Sequence, residues 1–540
     1  MRAIRFFTAP PRWVTCALAL FFVCNVAATA QTLRIGLASE TTSIDPHFGN
    51  ISSNLSFAEH LFGTLVANDA KLRPQPALAS SWKLRDDRTW EFKIRDNAVF
   101  SDGTPVTAAD AIYSFCRVLS LPVPAFPATI RRMQSVVAED ARTLVITMRT
   151  PYPLLINDLV SIAILPAKNA THGAISFNPA GGCGVSGFPQ SADFAPGPAM
   201  LGAGPYILRS YIRGGVAEMV RNPRYWGRPA PWDVVRMSPV TNAGPRLAGL
   251  LAGDFDLIEN PSGADMARLR ADKRFVLEVT PTPRLIFLQP DVERTHPPFV
   301  DADGRNPLQD ARVREALSLA IDRTAIVERI MDGAAVVANQ FLPDGMFGAL
   351  EKPTALRYDP ARARALLAEA GYKDGFGITL HASNDRYIND AKVAQALGQF
   401  LTRVGVRARV EAMPVSIYFT QRRDKKFALA LGGWNAASGE ASSFLSTWAT
   451  TPDPDAGLGG GNWGGFSDPT LDRLIRTALA TMDDGARQGV LQEASALATR
   501  LLPSIPLYFE SSSWAYRAEL KFNGRPDQFT LAADVVPVGK

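Results

Sequence analysis

The sequence has 540 residues, which is too long for a single hydrophobic core and predicts two or three domains. Its composition, 46% hydrophobic and 20% charged, is that of a globular protein. The net charge of +5 falls to +2 without residues 1–30, because three arginines and no acids leave. This near-neutral balance argues against nucleic acid as a partner.

Residues 1–30 have the pattern of a secretory signal peptide. Their only charges are arginines, an apolar run covers 14–26, and Ala28-Thr29-Ala30 provides a small-x-small cleavage site. The run is shorter than the roughly 20 residues of a membrane span. Cys24 could mark a lipoprotein, but Phe22 and Val23 are bulky where a lipid-attachment site usually has small residues. The pattern therefore predicts an exported, soluble mature protein.

Two cysteines remain after such cleavage, Cys116 and Cys183. An oxidising compartment would permit a disulfide between them. Their spacing does not show whether they meet in space, so a disulfide and two free thiols both stay open.

The first half of the mature chain reads as a mixture of strands and helices. Alternation and β-branched runs predict strands at 32–37, 90–95, 143–148 and 255–258, and a further strand after Gly204-Pro205. Apolar periodicity predicts helices at 54–65, from the capping residue Thr107 onward, and at 246–251. Residues 178–200 are rich in Gly, Pro and Ser and predict a long surface loop.

After Pro283 the pattern becomes regular strand–helix alternation. Helices are predicted at 312–331, 361–370, 391–404, 468–482 and 487–501, and strands at 378–381, 407–413, 427–431 and 503–508. Such alternation predicts a largely parallel sheet covered by helices.

The stretch 427–448, FALALGGWNAASGEASSFLSTW, stands out in this region. A buried strand is predicted to end at Gly432-Gly433, where the backbone is free of side-chain sterics. Trp434 and a loop of small and polar residues follow. Because open α/β sheets bind ligands beyond the carboxyl ends of their strands, we expect a ligand site here. A core tryptophan followed by an ordinary loop is the alternative.

No catalytic motif is visible in the sequence. The five histidines form no HExxH, no serine sits in G-x-S-x-G, and no phosphate loop ends in Gly-Lys-Ser/Thr. Two distant cysteines make no metal cluster. We therefore predict a protein that is not an enzyme and has no cofactor. The alternatives are a cleft enzyme such as a hydrolase, and a sensory or chaperone-like binding protein that serves no importer.

Several stretches together resemble one known family. In chain order they are SIDPH (43–47), ALASSW (77–82), DDRTWEFKIRDNAVFSDGTPVTAADAIYSF (86–115), GAGPYIL (202–208), RNPRYWG (221–227), LLAGDFDLI (250–258), ARVREALSLAIDR (311–323), YDPARARALLAEAGY (358–372), SDPTLDRLI (467–475) and LPSIPLY (502–508). The ordered series resembles solute-binding protein family 5, the extracytoplasmic receptors of peptide, nickel and related ABC importers.

The resemblance implies a fold and a role. The fold is α/β, the two-lobed periplasmic-binding-protein type II fold with an extra small domain inserted in lobe one. Lobe one would comprise 31–73, 202–283 and 503–540, the extra domain 74–201, and lobe two 284–502. The implied role is that of a periplasmic receptor, a monomer, which captures a peptide-like or related small solute and delivers it to the membrane subunits of an ABC importer.

The resemblance also implies site residues. In peptide-binding members the loop after Gly-Trp carries an aspartate that pairs with the peptide's α-amino group, and that position falls on Ala437. Free-amine peptides should therefore bind poorly unless Glu440 or Glu40 replaces the missing charge, because a buried unpaired ammonium is costly. Thr41 lies beside Glu40 at the expected rim of lobe one.

Four further residues of lobe two are predicted ligand contacts. Trp434 could stack on a ligand, and Asn435 and Ser438 could supply neutral hydrogen bonds. Arg422 falls where peptide-binding members have an arginine that faces the peptide's C-terminal side. A solvated cation in the basic run 422–426 is the slightly favoured alternative for Arg422.

Overall fold

The structure, a computed structural model, describes residues 31–48, 52–121, 126–170, 173–194, 199–436 and 438–539. The predicted signal peptide and Ala437 lie outside these residues. Within the described ranges, no helix combines the length and the apolar character needed to cross a bilayer.

A mixed sheet of 12 strands runs through the described chain. From edge to edge its main path is Tyr206–Tyr211, Ala217–Arg221, Val234–Pro239, Thr32–Leu37, Leu257–Glu259, Ile505–Arg517, Phe275–Pro290, Leu429–Asn435, Phe376–Ser383 and Val300–Asp301. Ala335–Val337 pairs with Ile505–Arg517, and Val406–Met413 pairs with Phe376–Ser383. The α/β class is confirmed.

The prediction of a largely parallel sheet is wrong. Thr32–Leu37 and Phe376–Ser383 have parallel neighbours, but Phe275–Pro290 is antiparallel to both strands beside it. The reason is that Ile505–Arg517 is more than twice as long as the predicted strand 503–508 and returns along most of Phe275–Pro290. Strand–helix alternation reports how neighbours in sequence are connected, and it does not reveal such a long-range antiparallel pair.

These two long strands join the halves of the sheet. Their register shifts between Pro281 and Leu285, and again between Ile286 and Phe287. Pro281 and Pro283 have no backbone N–H to donate to the ladder, so the pairing loosens at this point. The sheet is therefore irregular at the predicted crossing between the lobes.

Helices cover the sheet, and most lie close to their predicted positions. Their bounds are Ser52–Leu61, Ala108–Ser120, Pro127–Arg131, Leu155–Leu159, Ala243–Ala252, Gly263–Ala271, Ala311–Leu319, Arg323–Arg329, Pro360–Glu369, Asp390–Arg403, Val415–Arg423, Ala441–Trp448, Pro469–Ala480 and Asp484–Leu501.

The single helix predicted over 312–331 is wrong, because the structure has two helices there. Ala311–Leu319 ends, and Asp322 begins the next helix by accepting a hydrogen bond from the backbone N–H of Ala325 at 2.9 Å. An aspartate that caps a new helix interrupts an otherwise continuous apolar periodicity. The predicted cap at Thr107 is confirmed. The backbone N–H of Thr107 donates a hydrogen bond of 2.6 Å to the Asp110 carboxylate.

A separate four-stranded sheet lies within 79–148, in the order Ala79–Leu84, Thr89–Ile94, Thr143–Met148 and Met133–Ala138. Helix Ala108–Ser120 packs on it. A disulfide joins Cys116 of this helix to Cys183 in the Gly/Pro-rich stretch, with a Cα–Cα distance of 5.7 Å. Short two-stranded ribbons pair Gly63–Thr64 with Ala163–Ile164, Val66–Asn68 with Pro74–Pro76, and Leu520–Lys521 with Val536–Pro537.

The SIDPH motif has a structural role. Arg117 is buried and donates two hydrogen bonds of 2.8 Å to the Asp45 carboxylate. Its Nη1 also lies 3.1 Å from His47 Nδ1, and His47 Nε2 bonds the Ala163 carbonyl at 2.8 Å. This buried network ties the segment after the first strand to the helix and sheet of residues 79–165.

Candidate functional site

A large cavity, with a volume of about 1180 Å³, lies between parts of the chain that are distant in sequence. One wall comes from residues 39–59 and 525–529, another from 126–161, and a third from 283–284, 386–387 and 433–463. The strand Leu429–Asn435 contributes Gly433, Trp434 and Asn435 to the third wall. The predicted ligand loop therefore borders the cavity.

The strand was predicted to end at Gly432-Gly433, but the structure gives these two glycines a different role. The strand runs through Gly432 and Gly433, which pair with Phe287 and Ile286 and do not have positive φ angles. A Cβ at Gly433 would lie 2.6 Å from Tyr387, and one at Gly432 would lie 2.5 Å from the Arg422 guanidinium. The glycines are thus needed for close packing of these side chains against the sheet, and the strand does not end there.

Trp434 is both packed and open to the cavity. Its ring is half-buried and meets Trp448 edge-to-face, with 5.9 Å between centroids. Its indole N–H donates to Ser443 Oγ at 3.1 Å. The polar edge of the ring is therefore satisfied internally, and the apolar ring surface is what the cavity wall presents.

Asn435 and Ser438 carry unpaired polar atoms in the same wall. Asn435 Oδ1 and Ser438 Oγ are buried and have no hydrogen-bond partner. The Ser438 carbonyl accepts a hydrogen bond of 3.0 Å from Asn157, which also lines the cavity. Buried polar groups without a partner cost about 1–3 kcal/mol each, so these two atoms are suited to hydrogen-bond a bound molecule.

The structure does not bring Glu440 to this cavity. Arg487 Nη1 donates to both Glu440 oxygens, at 2.9 and 2.7 Å, and Ser442 Oγ donates to one of them. Burial raises the pKa of Glu440 against the opposing effect of Arg487. Glu440 borders a smaller cavity of about 370 Å³ instead. Its carboxylate is already bound within the protein, so it does not replace the acid absent at position 437.

Glu40 and Thr41 have different surroundings although they are adjacent. Glu40 borders the large cavity. Thr41 is buried, its carbonyl accepts from the Tyr211 hydroxyl at 2.9 Å, and it borders two smaller cavities. Of this pair, only Glu40 is placed to touch a molecule in the large cavity.

The interpretation of Arg422 as a solvated cation is wrong, because its side chain is 2% exposed. The guanidinium lies 5.2 and 4.9 Å from the ring centroids of Trp448 and Trp463, whose side chains line the cavity. Its Nη2 donates to Gln289 Oε1 at 2.9 Å, while Nε and Nη1 have no partner. Arg422 thus supports the wall from behind and does not border the cavity itself.

Sequence reasoning missed most of the charged groups in the cavity. Among them, Arg284 lies 3.4 Å from Glu510, and Arg525 donates to Asp527 at 2.6 Å. Arg386 stacks on the Tyr387 ring at 5.2 Å. These residues lie at a strand crossing, in a loop and in the C-terminal segment, which no local sequence pattern brings together.

Two carboxyl groups of the cavity have raised pKa values. Asp158 accepts hydrogen bonds of 2.7 Å from Thr129 and Tyr152, and burial raises its pKa. Burial raises the pKa of Glu59 to about 7. The sequence did contain a signal for Glu59, since Ser52, Leu55 and Glu59 share one helical face by their i, i+3, i+7 spacing.

In the part of the chain that the structure describes, no group of three His, Cys, Asp or Glu residues is arranged to hold a metal ion.

A mixed sheet with helices, an added four-stranded sheet, and a cavity between distant chain segments are features expected of a solute-binding protein. The sequence profile described as "Bacterial extracellular solute-binding proteins, family 5 Middle" matches residues 73–455. The chain belongs to this family.

The chain is similar to characterised proteins over most of its length. It is 26% identical over 509 residues to the periplasmic murein peptide-binding protein MppA of Escherichia coli K12, covering 90% of this chain and 88% of MppA. It is 26% identical over 526 residues to the glutathione-binding protein GsiB of Shigella boydii, covering 94% of each. The unliganded open form of MppA superposes with a TM-score of 0.78 at 23% identity, covering 94% of this chain and 98% of that one. The predicted two-lobed type II fold is confirmed.

Proposed function

We propose that this protein captures a small polar solute in the large cavity and delivers it to the membrane subunits of an ABC importer, without chemical turnover. The observation that supports this most is the cavity of about 1180 Å³, whose walls come from three distant parts of the chain and include the unpaired Asn435 Oδ1 and Ser438 Oγ. A cleft with few convergent polar groups is suited to hold a ligand of peptide size.

We further propose the domain division expected from the sequence. Lobe one comprises 31–73, 202–283 and 503–540, the inserted domain 74–201, and lobe two 284–502. Separate apolar cores support this division: one contains Phe92 and Phe115, another Leu33 and Trp514, and a third Leu380 and Leu397. The register shift near Pro281 would serve as the hinge, because the strand ladder is weakest where two residues lack N–H donors.

The ligand would be peptide-like or a related small solute. The names of MppA and GsiB refer to murein peptide and to glutathione. Ala437 stands where peptide-binding members have an aspartate, so an ordinary free-amine peptide is not the preferred ligand in that orientation. We expect the mature protein to act as a monomer in the periplasm after removal of residues 1–30.

Mass spectrometry under native conditions, followed by denaturation, tests this proposal. The mature protein should release one small organic solute, and adding that solute back to the emptied protein should raise its melting temperature. The absence of any bound solute, together with no thermal shift across peptides, opines, sugars and metal chelates, would contradict the receptor role. Conversion of a bound compound to a product would favour a cleft enzyme instead.

A further inference from the structure

Helix Ser52–Leu61 turns one face toward the large cavity. Ser52, Leu55 and Glu59 of this helix all line the cavity, and Glu59 lies in the last helical turn. A carboxylate at this end of a helix is disfavoured, because the C-terminal end of the helix dipole is negative. The position of Glu59 therefore has an electrostatic cost that its own helix does not offset.

Glu59 also differs from two nearby carboxylates of the lobe-one side, Asp527 and Glu259. Asp527 is paired with Arg525 at 2.6 Å, and Glu259 accepts from Thr530 Oγ1 at 2.6 Å and from the Ala38 backbone N–H at 2.8 Å. Glu59 has neither a hydrogen bond nor an ion pair among the residues with described positions. A carboxylate that borders a cavity and satisfies no internal donor is free to accept hydrogen bonds from a ligand.

The titratable groups that interact electrostatically with Glu59 come from two other elements. The C-terminal segment contributes Arg525, Asp527 and Asp534, and the loop after Ala217–Arg221 contributes Tyr225. Arg525 is the only cation of this set, and its guanidinium already bonds Asp527 and lies 3.5 Å from Asp534. Burial is the main cause of the raised pKa of Glu59; Arg525 opposes this rise, and Asp527 and Asp534 add to it.

We propose that Glu59 is the anchor for a cationic group of the ligand, so that the transported solute carries an amine or comparable cation bound to the lobe-one wall. This inference rests on the proposed receptor function. A cation on Glu59 would pair with a carboxylate that accepts no hydrogen bond from the described residues, and it would offset the repulsion from Asp527 and Asp534.

The position of this anchor is opposite to the one used by the family's peptide-binding members. In those proteins the acid lies in the lobe-two loop, at the position of Ala437 here. In this chain the nearby Glu440 is bound by Arg487 and is not available. The cation-binding charge would thus have moved from the lobe-two loop to a helix of lobe one, which would reverse the ligand or select a different class of amine.

The test uses amines that stay charged between pH 6 and pH 8, since an alkylamine has a pKa near 10.4. The probes are 1,4-diaminobutane, L-lysine and alanyl-lysine, each compared with its N-acetylated counterpart, together with any amine-bearing compound released from the purified protein. Binding is measured by calorimetry and thermal shift on the mature protein, on Glu59→Gln and on Glu40→Gln. Glu351→Gln removes an exposed carboxylate outside the cavity and controls for net charge.

We expect at least one amine to bind, and its acetylated form to bind about tenfold or more weakly. Because the ligand selects the ionised carboxylate, binding at pH 6 should be about tenfold weaker than at pH 8, given the pKa of about 7 of Glu59. Glu59→Gln should lose both the affinity at pH 8 and the pH dependence, while Glu351→Gln should keep both.

Three results would overturn the assignment. The first is amine binding that Glu59→Gln leaves unchanged, and the second is a loss confined to Glu40→Gln. The third is the failure of every amine-bearing compound to bind. If the protein then releases a solute without a basic nitrogen that rebinds, the receptor function stands and only the cation anchor is rejected.

Discussion

Replacing Glu440 should destabilise the protein without removing a ligand contact. Its carboxylate accepts two hydrogen bonds from Arg487 Nη1, and both side chains are at most 5% exposed. In Glu440→Ala, Arg487 would retain only the ion pair with the exposed Asp484, at 3.2 Å, and its contact with the Phe347 ring at 4.4 Å. The variant therefore leaves a largely uncompensated charge in the interior.

The expected cost follows from this burial. Removing one partner of a buried ion pair typically costs about 3–5 kcal/mol, whereas an exposed pair contributes about 0–1 kcal/mol. Glu369→Ala is the matched control, because Glu369 and Arg362 form a pair of similar length, 2.7 Å, at the surface. The double variant Glu440→Leu/Arg487→Met should recover most of the loss, since it leaves no charge buried.

Urea unfolding monitored by circular dichroism measures these differences, and the thermal shift produced by the co-purified solute measures binding. We expect Glu440→Ala to unfold at lower urea and still to bind that solute at a temperature where it is folded. If Glu440→Ala has wild-type stability and has lost binding, the reasoning is refuted, and Glu440 is a ligand group as the sequence suggested.

Three further predictions concern acid, the disulfide and the ligand loop. Burial lowers the pKa of His60 to about 4, and its Nε2 accepts from the Ala532 N–H at 2.9 Å. Below pH 6.5 the unfolded chain therefore binds more protons than the folded protein, and the free energy of unfolding should fall by about 3 kcal/mol as the pH is lowered from 6.5 to 4. Urea unfolding at several pH values should show a smaller decrease in His60→Gln. Reducing the disulfide, which spans 67 residues, should cost about 4 kcal/mol, and dithiothreitol should not change the melting temperature of Cys116→Ala/Cys183→Ala. Ala437→Asp should raise the affinity for free-amine di- to oligopeptides, and calorimetry that shows no gain in a folded variant would reject that position as the missing anchor.

The sequence by itself determined the family and most of the elements. Local signals act within a few residues, so the cap at Thr107 and the strand Thr143–Met148 lie where predicted. The stretch 427–448, with a strand predicted at 427–431, was expected to form the site; the structure has the strand Leu429–Asn435 there, and it borders the cavity. These features depend on side-chain periodicity and backbone propensity, which can be read along the chain.

The tertiary structure decided which of the predicted residues face the cavity. Arg422 and Glu440 carry full charges in polar stretches, which usually indicates solvent exposure, yet both are buried by packing from other segments. Glu59 lies in a helix whose sequence gives no hint of the C-terminal acids that surround it. Charge environments arise from contacts between distant residues, and those contacts follow from the crossing of the two long strands rather than from any local pattern.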